Sequence, residues 1–144
     1  MSRAIARLVT AAACGVVLAS AAVPASAAGR NPVVFGRIQY DSPGKDDRSA
    51  KSLNAEWVTI TNTGKKAVDL NRWTLSDTSR HVYRFGKVRL APHASVRVHT
   101  GKGKDTAKDV YQNRRAYVWN NTKDKATLKD AGGRVVATAS WGRR

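Results

Sequence analysis

The stretch Glu56-Trp57-Val58-Thr59-Ile60-Thr61-Asn62 reads as one β-strand and decides the fold class. Val58 and Ile60 fall on one face and Thr59 and Thr61 on the other, the period of two expected when one face is buried. Thr63-Gly64-Lys65-Lys66 then turns the chain, with Gly64 expected to supply a positive φ. Downstream, Val68-Asp69-Leu70 and Trp73-Thr74-Leu75-Ser76 are the next extended pieces, kinked at Asn71-Arg72. Tyr83 and Phe85 flank Arg84, and Val88 and Leu90 flank Arg89, so the alternation continues. Ser95 to Thr100 is a further strand after the Ala91-Pro92-His93 turn, with Val96 and Val98 inward and Arg97 and His99 outward. Gly101 to Lys108 reads as a Gly/Lys loop. Tyr117 to Trp119, Ala126 to Leu128 and Arg134 to Trp141 read as the last strands. Upstream, Val33 to Tyr40 is a strand and Asp41 to Leu53, with Pro43, Gly44 and six charged residues, a long surface loop.

Nowhere does an i, i+3, i+4, i+7 repeat run for three turns, and no internal repeat is present. Seven or more short strands without intervening helices predict an all-β sandwich. Hydrophobic residues at 42% and charged residues at 25% suit a packed chain rather than a disordered one. The 144 residues allow one domain, and 26 Lys and Arg against 10 Asp and Glu give a formal net charge of +16.

The amino-terminal residues read as an export signal. Arg3 and Arg7 precede the uncharged run Leu8 to Ala22, and Ala25-Ser26-Ala27 has the small-x-small form of a signal-peptidase site. The expected boundaries are a signal peptide over 1–27, cut after Ala27 or Ala28, and one β-sandwich domain over 28–144. Cleavage would remove Arg3, Arg7 and the single cysteine, Cys14, and leave a charge of +14 on about 116 residues. The expected mature domain is secreted, crosses no membrane, and has no disulfide, no cysteine nucleophile and no cysteine-bound zinc.

The run from Asn54 to Gly64, followed by Val68-Asp69-Leu70 and Trp73-Thr74-Leu75-Ser76-Asp77, resembles the lamin tail domain family. Tyr83-Arg84-Phe85, Leu90-Ala91-Pro92, Val96 to Gly101, Val118-Trp119-Asn120-Asn121 and Ala126 to Asp130 extend the resemblance over roughly Val33 to Trp141. It implies an immunoglobulin-like β-sandwich, here a stand-alone secreted domain of the bacterial kind. Glu56, Trp57, Val58, Ile60, Asn62, Gly64, Asp69, Leu70, Trp73, Leu75 and Asp77 are then scaffold residues. Val58, Ile60, Trp73 and Leu75 would fill the space between the sheets. Asn62, Asp69 and Asp77 would cap loose backbone donors at strand ends.

A hydrolase needs a nucleophile, a base and an orienting group, or a metal. His81, His93 and His99 share no metal-binding spacing and show no base–orienter pair in the chain. Glu56, the one glutamate, belongs to the strand motif. Asp41, Asp46 and Asp47 share a loop but are interrupted by Lys45 and do not form a calcium-loop pattern. Gly101-Lys102-Gly103-Lys104 lacks the pattern of a phosphate loop. No enzyme, metal or cofactor is expected. Charge is the feature that exceeds what a fold requires. Arg80, Arg84, Lys87, Arg89 and Arg97 sit outward on or beside strands, Lys102, Lys104 and Lys108 crowd one loop, and Arg114-Arg115 adjoins Tyr111 and Tyr117. These ten are the candidate polyanion-binding residues, for nucleic acid or an anionic envelope polymer, without sequence readout. The alternative is a protein-interaction module that pairs an exposed sheet edge with another secreted protein, its charge serving solubility.

Overall fold

A computed structural model of the chain describes residues 31–142. The expected signal peptide lies outside the described residues. β1 (Val33–Gln39) leads through a loop to a short helix, α1 (Ala50–Asn54), and then to β2 (Trp57–Asn62). There follow β3 (Val68–Asp69), β4 (Thr74–Ser76), β5 (Val82–Arg84), β6 (Arg89–Leu90) and β7 (Ser95–His99). β8 (Asp109–Tyr111), β9 (Lys123–Lys129) and β10 (Val135–Gly142) complete the chain. Two four-stranded sheets, ordered β1-β2-β7-β8 and β10-β9-β4-β5, form the sandwich, with the two-stranded ribbon β3-β6 beside them.

The alternation in β2 determines what the sheets bury. Val58 lies opposite Val98 and Ile60 opposite Val96, and all four are fully buried. From the other sheet, Leu75 pairs with Leu128 and both are buried with Ala126, Leu70, Phe85 and Trp73. Each aliphatic side chain taken wholly out of water contributes roughly 1.5–3 kcal/mol, so this interleaved layer is the main source of stability. At the side where β1 meets β10, Tyr40 stacks on Trp141 at 4.6 Å, and the Trp141 indole N–H donates to the Asn120 carbonyl at 2.7 Å. Among the described residues, no helix is long and apolar enough to cross a membrane.

Three local expectations are corrected. The segment read as a long loop ends in α1: Ser49 Oγ caps it by accepting from Ser52 N at 3.1 Å, and five residues are too few to show a helical period. Tyr117 to Trp119 is not a strand. The N–H groups of Val118 and Trp119 go to the Glu56 carboxylate, while the missed strand β8 adds parallel to β7. Gly64 does not take a positive φ. It is needed because a Cβ there would stand 2.9 Å from the Pro32 Cβ.

The Gly101–Lys108 loop is packed rather than free. A side chain at Gly103 would collide with the Tyr111 ring, which in turn stacks on His99 at 4.9 Å. The loop also covers the edge of β8. Thr106 N donates to the Asp109 carbonyl at 2.8 Å, Asp109 N to Thr106 Oγ1 at 3.0 Å, and Tyr111 N to Asp105 Oδ1 at 3.0 Å.

Candidate functional site

Most of the acids are tied into hydrogen bonds within the fold, two of them, Glu56 and Asp124, in buried positions. Glu56 is 1% exposed, and its Oε1 accepts from Thr100 Oγ1 at 2.6 Å, Val118 N at 2.9 Å and Trp119 N at 3.3 Å. Burial raises its pKa above the ordinary value, with the charge of Asp46 adding to the effect. Asp124 is also buried, but its pKa is lowered. Desolvation opposes the charge, yet donors from Asn120, Lys125 and Thr78 outweigh it. The Asp77 side chain is fully enclosed and accepts from Ser79 N and His81 N. Asp47, Asp69, Asp105 and Asp130 are each bonded to nearby backbone N–H groups, and Asp109 holds His99. Eight of the ten carboxylates thus serve the scaffold.

Few of the bases have such a duty, Arg114 being the main exception through Gln112 and the Val82 carbonyl. The described residues contain 21 Lys and Arg against all 10 carboxylates, a surplus of 11. Among them only Arg134 lies within ion-pair distance of a carboxylate, at 3.9 Å from Asp130. Glu56, Asp124 and the Asp77 side chain are buried, while Asp41, Asp46, Asp47, Asp69 and Asp105 stay at the surface, so the surface carries the cationic surplus only slightly enlarged by burial of acids.

The most organised cationic surface is the outer face of the β1-β2-β7-β8 sheet. The register that sends Val58 and Ile60 inward turns Trp57, Thr59 and Thr61 outward, opposite His99, Arg97 and Ser95. The Arg97 guanidinium lies 4.0 Å from the Trp57 ring centroid and that of Arg37 lies 5.8 Å away. Stacking on the indole holds both cations over the sheet. With Lys108, Asp109, Ser95 and the two threonines they line a shallow groove of about 510 Å³, Asp109 being the one carboxylate on it and already bonded to His99. Trp57, expected as scaffold, is therefore half-buried in the surface layer rather than in the core.

The ten nominated residues are not gathered in one place. Arg97 and Lys108 share this groove. Arg84 is exposed on the opposite sheet, in the row Arg84–Thr74–Lys129. Lys87 and Arg89 are exposed at the β3-β6 ribbon, where Arg89 faces Asp69 in register. Arg80 stands in the β4–β5 turn at φ 71°, and Lys102 and Lys104 stand on the β7–β8 loop. Arg114 and Arg115 line a separate cleft with Arg48 and His81.

Five of the eleven described cations outside those ten stand on the sheet faces or in the cleft. Lys123, Lys125 and Lys129 alternate with buried Asp124, Ala126 and Leu128, so their outward direction was available from the period-two pattern. Arg37 lies within the β-bulge between Phe35 and Ile38 that shifts the register, and Arg48 sits in a left-handed loop position; neither leaves a sequence signal. Two histidines also prove to have carboxylate partners, Asp77 four residues before His81 and Asp109 ten residues after His99. His99 is bonded through both nitrogens, to the Asn54 carbonyl and to Asp109 Oδ1, each at 2.8 Å, and braces β7 against α1 and β8. His81 Nδ1 meets Asp77 Oδ2 at 2.6 Å.

A family model described as Lamin Tail Domain matches residues 26–143. The chain belongs to the lamin tail domain family. No curated protein matches it. The family is a non-catalytic, immunoglobulin-like one, and membership makes this lamin tail domain a binding or interaction module. Its motif residues act here as scaffold. Asn62 Oδ1 accepts from Gly64 N at 2.9 Å while its amide donates to the carbonyls of Lys66 and Leu90, tying the β2–β3 turn to β6. Asp69 Oδ1 accepts from Asn71 N at 2.9 Å and Asp77 Oδ1 from Ser79 N at 3.0 Å, the capping roles expected of them.

Proposed function

We propose that this lamin tail domain is an exported, non-enzymatic binding module that holds polyanions, nucleic acid or anionic envelope polymer, by backbone charge alone. The observation that carries the reading is the scarcity of ion pairs among the described residues. Eight of the ten carboxylates accept hydrogen bonds within the fold, and 20 of the 21 described lysines and arginines stand without a carboxylate within ion-pair distance. Phosphate polymers release counterions when such cations neutralise them, which supplies affinity without base contacts. No helix of the described residues is placed to read a groove, and α1 has only five residues. Export is supported by the Arg3/Arg7 start, the uncharged run and the Ala25-Ser26-Ala27 site.

Edge pairing with a protein strand has less support. The β8 edge is capped by Asp105 and Thr106, and the Arg114 guanidinium donates to the Val82 carbonyl of β5 at 3.2 Å. In a fluorescence-anisotropy assay at low salt, two duplexes of unrelated sequence and equal length are expected to bind with affinities within about threefold of each other. A preference of a hundredfold for one duplex, or no binding to either duplex or to poly(glycerol phosphate), would refute the reading.

A further inference from the structure

The shallow cleft at the β4–β5 turn differs from the sheet-face groove in its lining. It is about 530 Å³ in volume and is lined by Arg48, His81, Asn113, Arg114, Arg115 and Tyr117, with no carboxylate on its wall. Its parts are fixed from several directions. Arg114 Nε donates to Gln112 Oε1 at 3.1 Å and its Nη2 to the Val82 carbonyl, while Arg114 N donates to the Thr100 carbonyl at 3.0 Å. Arg48 N donates to the Tyr117 hydroxyl at 3.2 Å, and that hydroxyl also meets Ser52 Oγ at 2.6 Å. Arg48 and Asn113 on the wall, and Arg80 beside His81, hold φ values of 60°, 58° and 71°. Left-handed backbone is costly for arginine, at about 1–3 kcal/mol each.

His81 gives the cleft its chemistry. Its Nδ1 is held 2.6 Å from the enclosed Asp77 carboxylate, which fixes that nitrogen as the proton donor and leaves Nε2 as the second polar atom of a side chain 38% exposed. A neutral ring can accept from a P–OH group there, and a protonated one can donate to a P–O⁻ oxygen. Guanidinium groups supply the remaining donors, in the forked geometry that fits phosphate oxygens.

Resting on the polyanion reading above, we propose that this cleft binds a terminal phosphate, a phosphomonoester, so that the domain engages polymer ends as well as polymer backbone. The test is NMR titration of the isotope-labelled domain with inorganic phosphate. The expected result is saturable movement of the His81 ring signals and the Arg114 and Arg115 amides at millimolar phosphate. His81→Gln and Arg115→Gln should each weaken binding about tenfold, with their unperturbed spectra elsewhere certifying the fold. Non-saturating shifts spread over all cationic surfaces, or unchanged affinity in both variants, would overturn the proposal. Two further arms separate the sources: a 5′-phosphorylated trinucleotide, with its dephosphorylated form as control, and glycerol 3-phosphate. The tighter of the two ligands identifies the polymer whose end is held. If neither outcompetes inorganic phosphate at His81, the polymer-end role is overturned. Salt-dependent binding of long duplex reports on the polyanion reading independently, since it draws on the groove and sheet faces and survives loss of the cleft.

Discussion

Glu56→Ala is expected to lower the unfolding free energy by about 3–5 kcal/mol in urea or guanidinium denaturation, a large part of what a domain of this size possesses. The carboxylate is the shared acceptor for Val118 N, Trp119 N and the Thr100 hydroxyl, and it fastens the 117–119 segment to the start of β2. Truncation leaves three buried donors without partners and opens space behind them, and each orphaned donor costs about 1–3 kcal/mol. Glu56→Gln keeps an acceptor at Oε1 and should retain most of the stability. The glutamine variant also isolates a pH effect. Because burial raises the folded-state pKa of Glu56 above 4.5, its contribution is complete below pH 4.5 and is lost as pH rises through the raised value. Asp124 acts in the opposite sense. Its lowered pKa means that its contribution is present above pH 3.8 and lost as pH falls through the depressed value. Stability of Glu56→Gln relative to the parent should therefore improve on going from acid to neutral pH. A difference that is flat across that range, or an alanine variant within 1 kcal/mol of the parent, would contradict the role assigned to Glu56.

The second large effect concerns the Trp57 groove. Replacing Arg37, Arg97 and Lys108 together with glutamine removes three cations, two of them held over one indole. If each neutralises one phosphate, the dependence of log K on log salt for duplex DNA becomes shallower by about 2–3. The three side chains are exposed and have no carboxylate within ion-pair distance, so stability should stay within about 0.5 kcal/mol of the parent. Unchanged slope in a folded triple variant would move the binding surface to the Lys123, Lys125 and Lys129 side of the sandwich.

What could be read from the chain follows from how local the deciding interaction is. The alternation in β2, β7 and β9 is written in adjacent residues, and the structure buries Val58, Ile60, Val96, Val98, Ala126 and Leu128 as that alternation demands. The strand β8 has one buried residue, Val110, and owes its existence to parallel pairing with β7 and to caps from Asp105 and Thr106, none of which marks the sequence locally. Tyr117 to Trp119 looks like a strand because its residues favour extended structure, yet their donors are taken by a glutamate some 60 positions earlier. The same distinction governs the candidate surfaces. Outward direction is legible at Arg84, Arg97 and the β9 lysines. The grouping of Arg48, His81, Arg114 and Arg115 around one cleft depends on contacts across the tertiary structure.

The unmodified domain's affinity for a duplex of fixed length, measured across salt from low to physiological concentration, tests the central claim most directly. A surface of unpaired cations predicts a straight fall of log K with log salt, with a slope of about −0.9 for each phosphate neutralised and several phosphates engaged. An affinity that holds constant over the same range would contradict it.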